Sequence, residues 1–325
     1  RQIESEFSGD RKEDIIRAFY DLVSMAGTNP AIRLLKTKVE SGDINEDTHS
    51  WAWILSSAIR NIKTPTEELI RELVHILKHE NVHKCPILRA AVAMAVTEIA
   101  HKACVHPQSS YNEFPANIFG DFCDEDSDVI KKELLPYLTQ MLSESSNNDV
   151  GSVITWVNAL GNLGTEDASL ELLKVVEGKI TVHPHPRSVA IFKLIRAAEL
   201  NPVIYRPVFM ALIENSAESS EVRMAAVTGL TYSSPSTADL QRLAVRTWFE
   251  PCNQVASYIY STLKTLKNLP ETFDEYSIIR LRAEQAYALC KPSNCGIQFS
   301  KNWQLSHFEE SLKAAVSHKY QWTSS

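Results

Sequence analysis

No stretch of this 325-residue chain stays apolar for the roughly 18 to 20 residues that a membrane-spanning helix needs. Glycine is scarce, at 10 residues, and alternating β-branched runs are few, which argues against an all-β fold. There is no surplus of positive charge: 33 basic residues face 40 acidic ones, a net charge of −7, and a dedicated nucleic-acid binder needs a basic surface. The six cysteines form no CxxC motif and no zinc-ribbon spacing, and no Asn-x-Ser/Thr triplet offers a site for N-glycosylation. Gly161 and Gly164 follow no strand, so a phosphate-loop reading fails its structural test. No nucleophile elbow is present either, and enzymatic activity is not expected. No signal peptide is visible and the first residue is Arg, so the chain reads as a mature or excised stretch.

What is present is helix. Hydrophobic residues make up 44% and charged residues 22%, enough apolar material for a large core. Ile15, Ile16, Phe19, Leu22 and Val23 fall at helical spacing before Gly27, and Asn29-Pro30 then restarts the chain. Thr64-Pro65-Thr66-Glu67 reads as a capping box, opening a helix that reaches about His79. Pro86 opens an alanine-rich helix whose small side chains allow close approach, which places it centrally in a helical layer. A further helix over 127–142 is expected to bend at Pro136. Asn158 to Gly178 pairs two helices across a polar elbow, with Gly161 and Gly164 supplying the turn.

From there the pattern is regular. Helix starts fall near Asp149, Thr165, Pro186, Pro202, Ser220, Thr237, Asn253 and Phe273, so each pair takes roughly 33 to 37 residues, the period of α-solenoids. Ser236-Thr237-Ala238-Asp239 is a looser capping box. The expected organisation is a helical domain over 1–290, interrupted by an aromatic-rich loop at 106–126, and an irregular segment over 291–325 with one short helix at Phe308 to Val316.

Few residues suggest chemistry. His75 and His79 stand four apart, with His83 four further on; this spacing suits a zinc ion, and equally suits exposed histidines at a helix C-terminus. Cys104 and Cys123 bracket the long loop, and Cys290 and Cys295 could close a small one, leaving Cys85 and Cys252 free or paired; six cysteines allow fifteen connectivities. A membrane or partner surface would need basic residues to converge. Arg187, Lys193, Arg196, Arg223, Arg242 and Arg246 are the candidates.

Ala26-Gly27-Thr28-Asn29-Pro30-Ala31, Thr64-Pro65-Thr66-Glu67-Glu68-Leu69 and Asn158-Ala159-Leu160-Gly161-Asn162-Leu163-Gly164 resemble, in order and separation, the helical domain of the large lipid transfer proteins. That family includes the vitellogenins, apolipophorins, the microsomal triglyceride transfer protein and apolipoprotein B, and the resemblance is closest to an invertebrate vitellogenin. It implies an all-α fold, a two-layered, right-handed, horseshoe-shaped α-superhelix of antiparallel helix pairs. It implies a scaffold beside β-barrel and β-sheet domains that enclose lipid, in a secreted yolk-storage lipoprotein of haemolymph-like fluid and egg yolk, with no cofactor in this domain. Two rivals stand beside it: a HEAT- or armadillo-like adaptor with reduced thiols, and a peripheral membrane-recognition module.

Overall fold

The computed structural model describes residues 12–105, 123–145, 149–270, 276–292, 296, 298–309 and 314–323, with the backbone alone at 12–14 and 303–319. Among them are sixteen α-helices and one β-hairpin. The chain divides into two compact units, Arg1–Lys174 and Val175–Ser325.

The first unit packs in two layers. One contains α1 (Lys12–Ala26), α3 (Thr48–Arg60), α6 (Pro86–Ala100) and α8 (Val150–Leu163); the other contains α2 (Asn29–Ser41), α4 (Glu67–Lys78) and α7 (Leu135–Glu144). A short α5 (Glu80–His83) links α4 to α6. The alanine-rich α6 lies between α3 and α8, with Val92, Ala93, Ala95, Val96 and Ala100 fully buried, as its small side chains imply. On α4 the apolar positions Leu69, Ile70, Leu73, Val74, Ile76 and Leu77 share the buried face, while Glu67 and Glu68 occupy the first turn where the helix dipole favours them.

The boundary between units falls inside α9 (Glu166–Val176). In the second unit, α10 (Pro184–Lys193), α13 (Ser220–Tyr232) and α15 (Asn253–Lys267) form one layer, and α12 (Pro202–Glu214), α14 (Thr237–Arg246) and α16 (Ser277–Tyr287) the other; α11 (Ile195–Leu200) bridges α10 and α12. Strands β1 (Lys301–Glu309) and β2 (Ala314–Trp322) pair antiparallel, from Lys301 opposite Trp322 to Glu309 opposite Ala314, and β1 packs on α15.

Several local readings change. The caps at Thr28 and Thr66 stand where the sequence pointed to Asn29 and Thr64: Asn29 is already helical, and Thr66 Oγ1 accepts from Leu69 N at 3.4 Å. At Pro136 the helical run changes type. The proline opens α7 after a π-helical turn at Val129–Leu134, where its missing N–H costs nothing. Gly161 lies within α8; Gly164 alone makes the turn there, with φ of 66° and its N–H on Leu160 O. Where a helix is expected at Phe308 to Val316, the described residues 308–309 and 314–316 are strand, in keeping with the period-two alternation through Val316, His318, Tyr320 and Trp322; the four residues between lie outside the described ones. The expected start at Phe273 and most of the 106–126 loop lie outside the described residues.

Gly27 occupies the tightest turn. Its φ is 60°, and a Cβ there would lie 2.0 Å from the carbonyl oxygen of Asn61. Gly178 shares the left-handed backbone (φ 78°) with nothing nearer than 3.6 Å to an added Cβ. Gly178→Ala is therefore expected to lose about 1–3 kcal/mol from backbone strain alone, and Gly27→Ala clearly more. Thermal melts of both variants check this; equal Tm values would show that the close approach to Asn61 is not restrictive.

Candidate functional site

Two of the candidates for a basic face, Arg187 and Arg223, are engaged within their own unit. Arg187 and Arg223 each occupy the fourth residue after the N-cap of a helix, α10 after His183 and α13 after Ser219. From there each reaches back to a carbonyl in the last turn of an earlier helix. Arg187 Nε donates to Val176 O at 2.8 Å, and Arg223 donates to Ile213 O through Nε at 3.1 Å and Nη2 at 2.9 Å. Those carbonyls are among the four that a helix end leaves without a partner. Each guanidinium also reaches forward to a carboxylate just before the next helix of its layer: Arg187 Nη1 to Glu218 at 2.6 Å, and Arg223 Nη1 to Glu250 at 2.8 Å, with Nη2 on the second Glu250 oxygen. Arg89, fourth in α6, makes the same backward bond, to His83 O at 3.1 Å, and then lies over the Trp156 ring of α8 instead of pairing with an acid.

The Arg223–Glu250 pair is the deepest of these clamps. Its side chains are 2% and 0% exposed. Glu250 also accepts from Arg246 Nε at 3.1 Å and from Cys252 N at 3.0 Å. Burial pushes its carboxyl pKa up, but the bonds from Arg223, Cys252 and Arg246 outweigh burial and hold it below the ordinary 4.5. Arg242 pairs with Glu214 at 2.6 Å on the surface, a contact worth little. Arg196 is exposed, and Lys193 is half-buried, with burial lowering its pKa. Of the six candidates, four are thus engaged with carboxylates of their own unit.

His75 and His79 border a small cavity of about 220 Å³ together with Glu40 and Lys36, whose ammonium disfavours a bound cation. α4 ends at Lys78, and His79 is extended (ψ 138°), which breaks the helical register that would align His79 with His83. His79 Nδ1 accepts from Asn81 N at 3.3 Å, and His83 Nδ1 lies 3.4 Å from Tyr137 Oη. Among the described residues no three His, Cys, Asp or Glu side chains assemble to hold a metal. Cys104 and Cys123 are joined by a disulfide, with Cα atoms 4.6 Å apart. Cys85, Cys252 and Cys290 carry free thiols, burial pushing that of Cys290 up to about 12; Cys295 lies outside the described residues.

The sequence reading missed a cavity of about 840 Å³ in the second unit. The C-terminal halves of α13 and α15, the first turns of α16, α11 and the hairpin surround it. Thr231, Tyr232, Thr262, Thr265, Leu266, Leu269, Ile278 and Ile279 are among the residues that line it. Its rim carries Ser234, the one non-glycine residue with positive φ (48°) among those described. Arg206 Nη1 donates to the Ser234 carbonyl at 3.2 Å, and Arg282 Nη1 to the next, that of Pro235, at 2.9 Å.

Residues 1–264 match the family model described as the vitellogenin TPR domain. The vitellogenin of Anthonomus grandis is 26% identical over 301 residues, covering 92% of this chain and 17% of that protein. Vitellogenin-A1 of Aedes aegypti is 27% identical over 294 residues, covering 90% and 13%. The hemolymph clottable protein of Penaeus monodon is 26% identical over 280 residues, covering 85% and 15%. The solved structure described as lipid-protein interactions in lipovitellin superposes with a TM-score of 0.75 over 97% of this chain and 31% of its own, at 22% identity, which shows the same all-α fold. The chain spans about a sixth of the length of the curated relatives it matches.

Removing one partner of the Glu250 clamp strands the other. Glu250→Leu is expected to cost about 3–5 kcal/mol, and the double variant Arg223→Met/Glu250→Leu less than the sum of the two single changes. Urea titrations of the three variants give the coupling; simple additivity would dissociate the two residues. Because folding lowers the Glu250 pKa, the clamp contributes its full stability above the unfolded value near 4.5 and loses it as pH falls through the depressed native value. Wild type should therefore lose stability below about pH 4.5 more steeply than Glu250→Gln. Parallel melts of the two proteins between pH 6 and pH 3 read this out, and superposable slopes would contradict it.

Proposed function

The chain belongs to the vitellogenin family through its TPR domain, and from that premise we propose that it is the helical scaffold of a secreted, lipid-carrying yolk-storage protein. The observation that carries this reading is the family match over 1–264, with relatives of the same name aligned along nine-tenths of the chain. In this role the helical units support neighbouring β-barrel and β-sheet domains around lipid and present a surface to partners. Catalysis is no part of it, and the domain needs no cofactor of its own, zinc at His75 and His79 included.

The Cys104–Cys123 bridge supports the extracellular side of this reading, since a disulfide persists in an oxidising compartment and not in the cytosol. It also weighs against the cytosolic adaptor. The membrane-recognition alternative loses its support with the arginines: those at 187, 223, 242 and 246 already hold carboxylates and do not present a cationic face.

The test is made on the native protein. An antibody raised against this chain is used to recover its parent from body fluid and from eggs, followed by density flotation, lipid extraction and non-reducing peptide mapping. The expected result is a lipid-bearing particle of lipoprotein density with Cys104 and Cys123 in one disulfide-linked peptide pair. A lipid-free protein with both thiols reduced would overturn the carrier reading and restore the adaptor.

A further inference from the structure

Two phenols meet where the last helix pair closes. Tyr260 on α15 and Tyr287, the last residue of α16, bring their hydroxyl oxygens to 2.5 Å, with ring centroids 5.2 Å apart and ring planes at 44°. Both residues are half-buried. A tyrosine hydroxyl inside a protein is satisfied by any suitable partner, as that of Tyr258 is by the Thr228 hydroxyl at 2.7 Å. Two phenols paired with each other have a chemistry that such a bond lacks.

The ammonium of Lys267, two turns further along α15, lies 4.2 Å from the centroid of the Tyr287 ring. A cation at the ring face opposes any positively charged form of that ring. Oxidation of Tyr287 must therefore remove the phenolic proton together with the electron, which leaves a neutral phenoxyl radical. The unpaired electron of a phenoxyl lies partly on the two carbons ortho to its oxygen. Those carbons stand one bond from the hydroxyl-bearing carbon, so the contact that joins the hydroxyls also draws the ortho edges of the two rings together. The rings are carried by helices packed against each other, and the encounter that radical coupling needs is already made.

We propose that Tyr260 and Tyr287 form an oxidative cross-linking site, coupled to dityrosine by a haem peroxidase acting with hydrogen peroxide. The two phenols give up two electrons and two protons, which reduce one peroxide to two waters. The two phenoxyl radicals join through a carbon–carbon bond between ortho positions. Each of those carbons then releases its hydrogen as a proton, and each oxygen regains one from solvent, so that two phenols are restored. The product is lighter by two hydrogens and ties α16 to α15, the helix on which β1 packs. The first unit has the Cys104–Cys123 bridge, whereas the described cysteines of the second, Cys252 and Cys290, are free thiols. The inference goes beyond the scaffold role: it gives the second unit a covalent fastening of its own.

Treatment of the dilute 325-residue chain with horseradish peroxidase and hydrogen peroxide tests it. The monomer is isolated by denaturing gel filtration, and dityrosine is read by its fluorescence and by peptide mapping. The expected product is a monomer in which the peptide of Tyr260 is joined to that of Tyr287 with the loss of two hydrogens. Tyr260→Phe and Tyr287→Phe keep the ring and remove the phenol, and each should lower the dityrosine of the monomer by about tenfold or more. Circular dichroism melts establish that the variants are folded, and the map of the wild-type monomer decides the question if they are not. A monomer free of dityrosine, dityrosine mapping to other tyrosines, an undiminished yield in a folded Tyr287→Phe, or coupling found only between chains would each overturn the proposal. None of these results bears on whether the parent protein carries lipid, so the two readings fail separately.

Discussion

A carboxylate with no exposed surface, that of Glu250, sets the terms for the second unit. Burying an ion pair is costly, and it is tolerated only where every polar atom finds a partner. Here the partners are two arginines and a backbone amide, and the pair also answers a need of the helices themselves. An array of antiparallel pairs must bury elbows, and every helix that ends in an elbow leaves carbonyls without intrahelical donors. Arg223 satisfies one at Ile213 while holding Glu250, so one side chain joins the end of α12, the body of α13 and the start of α15. Arg187 does the same for α9, α10 and the approach to α13. The two stand 36 positions apart, within the 33–37-residue period of the helix pairs. The clamp therefore belongs to the repeat, and its registration fixes how one pair stacks on the next.

That registration has a consequence for where open space can exist. The clamps seize the N-terminal turns of α10, α13 and α15 and draw them against the preceding helix ends. The C-terminal halves of α13 and α15 lie beyond the clamps, and there the large cavity opens, between Thr228–Tyr232 and Thr262–Leu269. Threonine hydroxyls on these turns bond to carbonyls of their own helices, at Thr228 for Thr231 and Tyr258 for Thr262, and so are tolerated at low exposure without a neighbour to saturate them. One end of each helix is locked by charge, and the other borders open space.

Helix starts were legible in the sequence because capping is local chemistry. Pro202, Ser220, Thr237 and Asn253 open their helices at the expected residues, and Ser236 and Asp239 close a reciprocal capping box. Boundaries slipped where two candidate caps lay side by side, as at Thr64 and Thr66, since only the path of the chain decides between them. Arg187 and Arg223 were legible as arginines but not as clamps. The signal that could have placed them was present: a basic residue four after a cap, repeated at the period of the pairs, with a glutamate some thirty residues on. The hairpin was hidden by Ala314-Ala315-Val316 after a polar stretch, which suits a helix until the alternation running on to Trp322 is counted. The cavity was out of reach, because its walls come from residues as far apart as Ile195 and Gln321.

The hairpin settles a problem that any stacked array has at its last pair, whose apolar face and polar backbone have no following repeat to meet. A blunt polar helix would close the stack. Here α15 instead offers amides and hydroxyls to a backbone. Gln254 accepts from Ser300 N at 2.6 Å and donates to Gln298 O at 3.3 Å, while Ser261 Oγ accepts from Asn302 N at 3.0 Å and Thr265 donates to Asn302 O. A helix face thus does for the start of β1 what a neighbouring strand would do, satisfying its N–H and C=O groups in turn. This explains why α15 carries Ser, Thr and Gln on a face where α6 carries alanine and valine. A helix that receives another helix needs small apolar side chains, and one that receives an extended chain needs hydrogen-bonding ones. The change from helices to strands is therefore written into α15, before the first residue of β1.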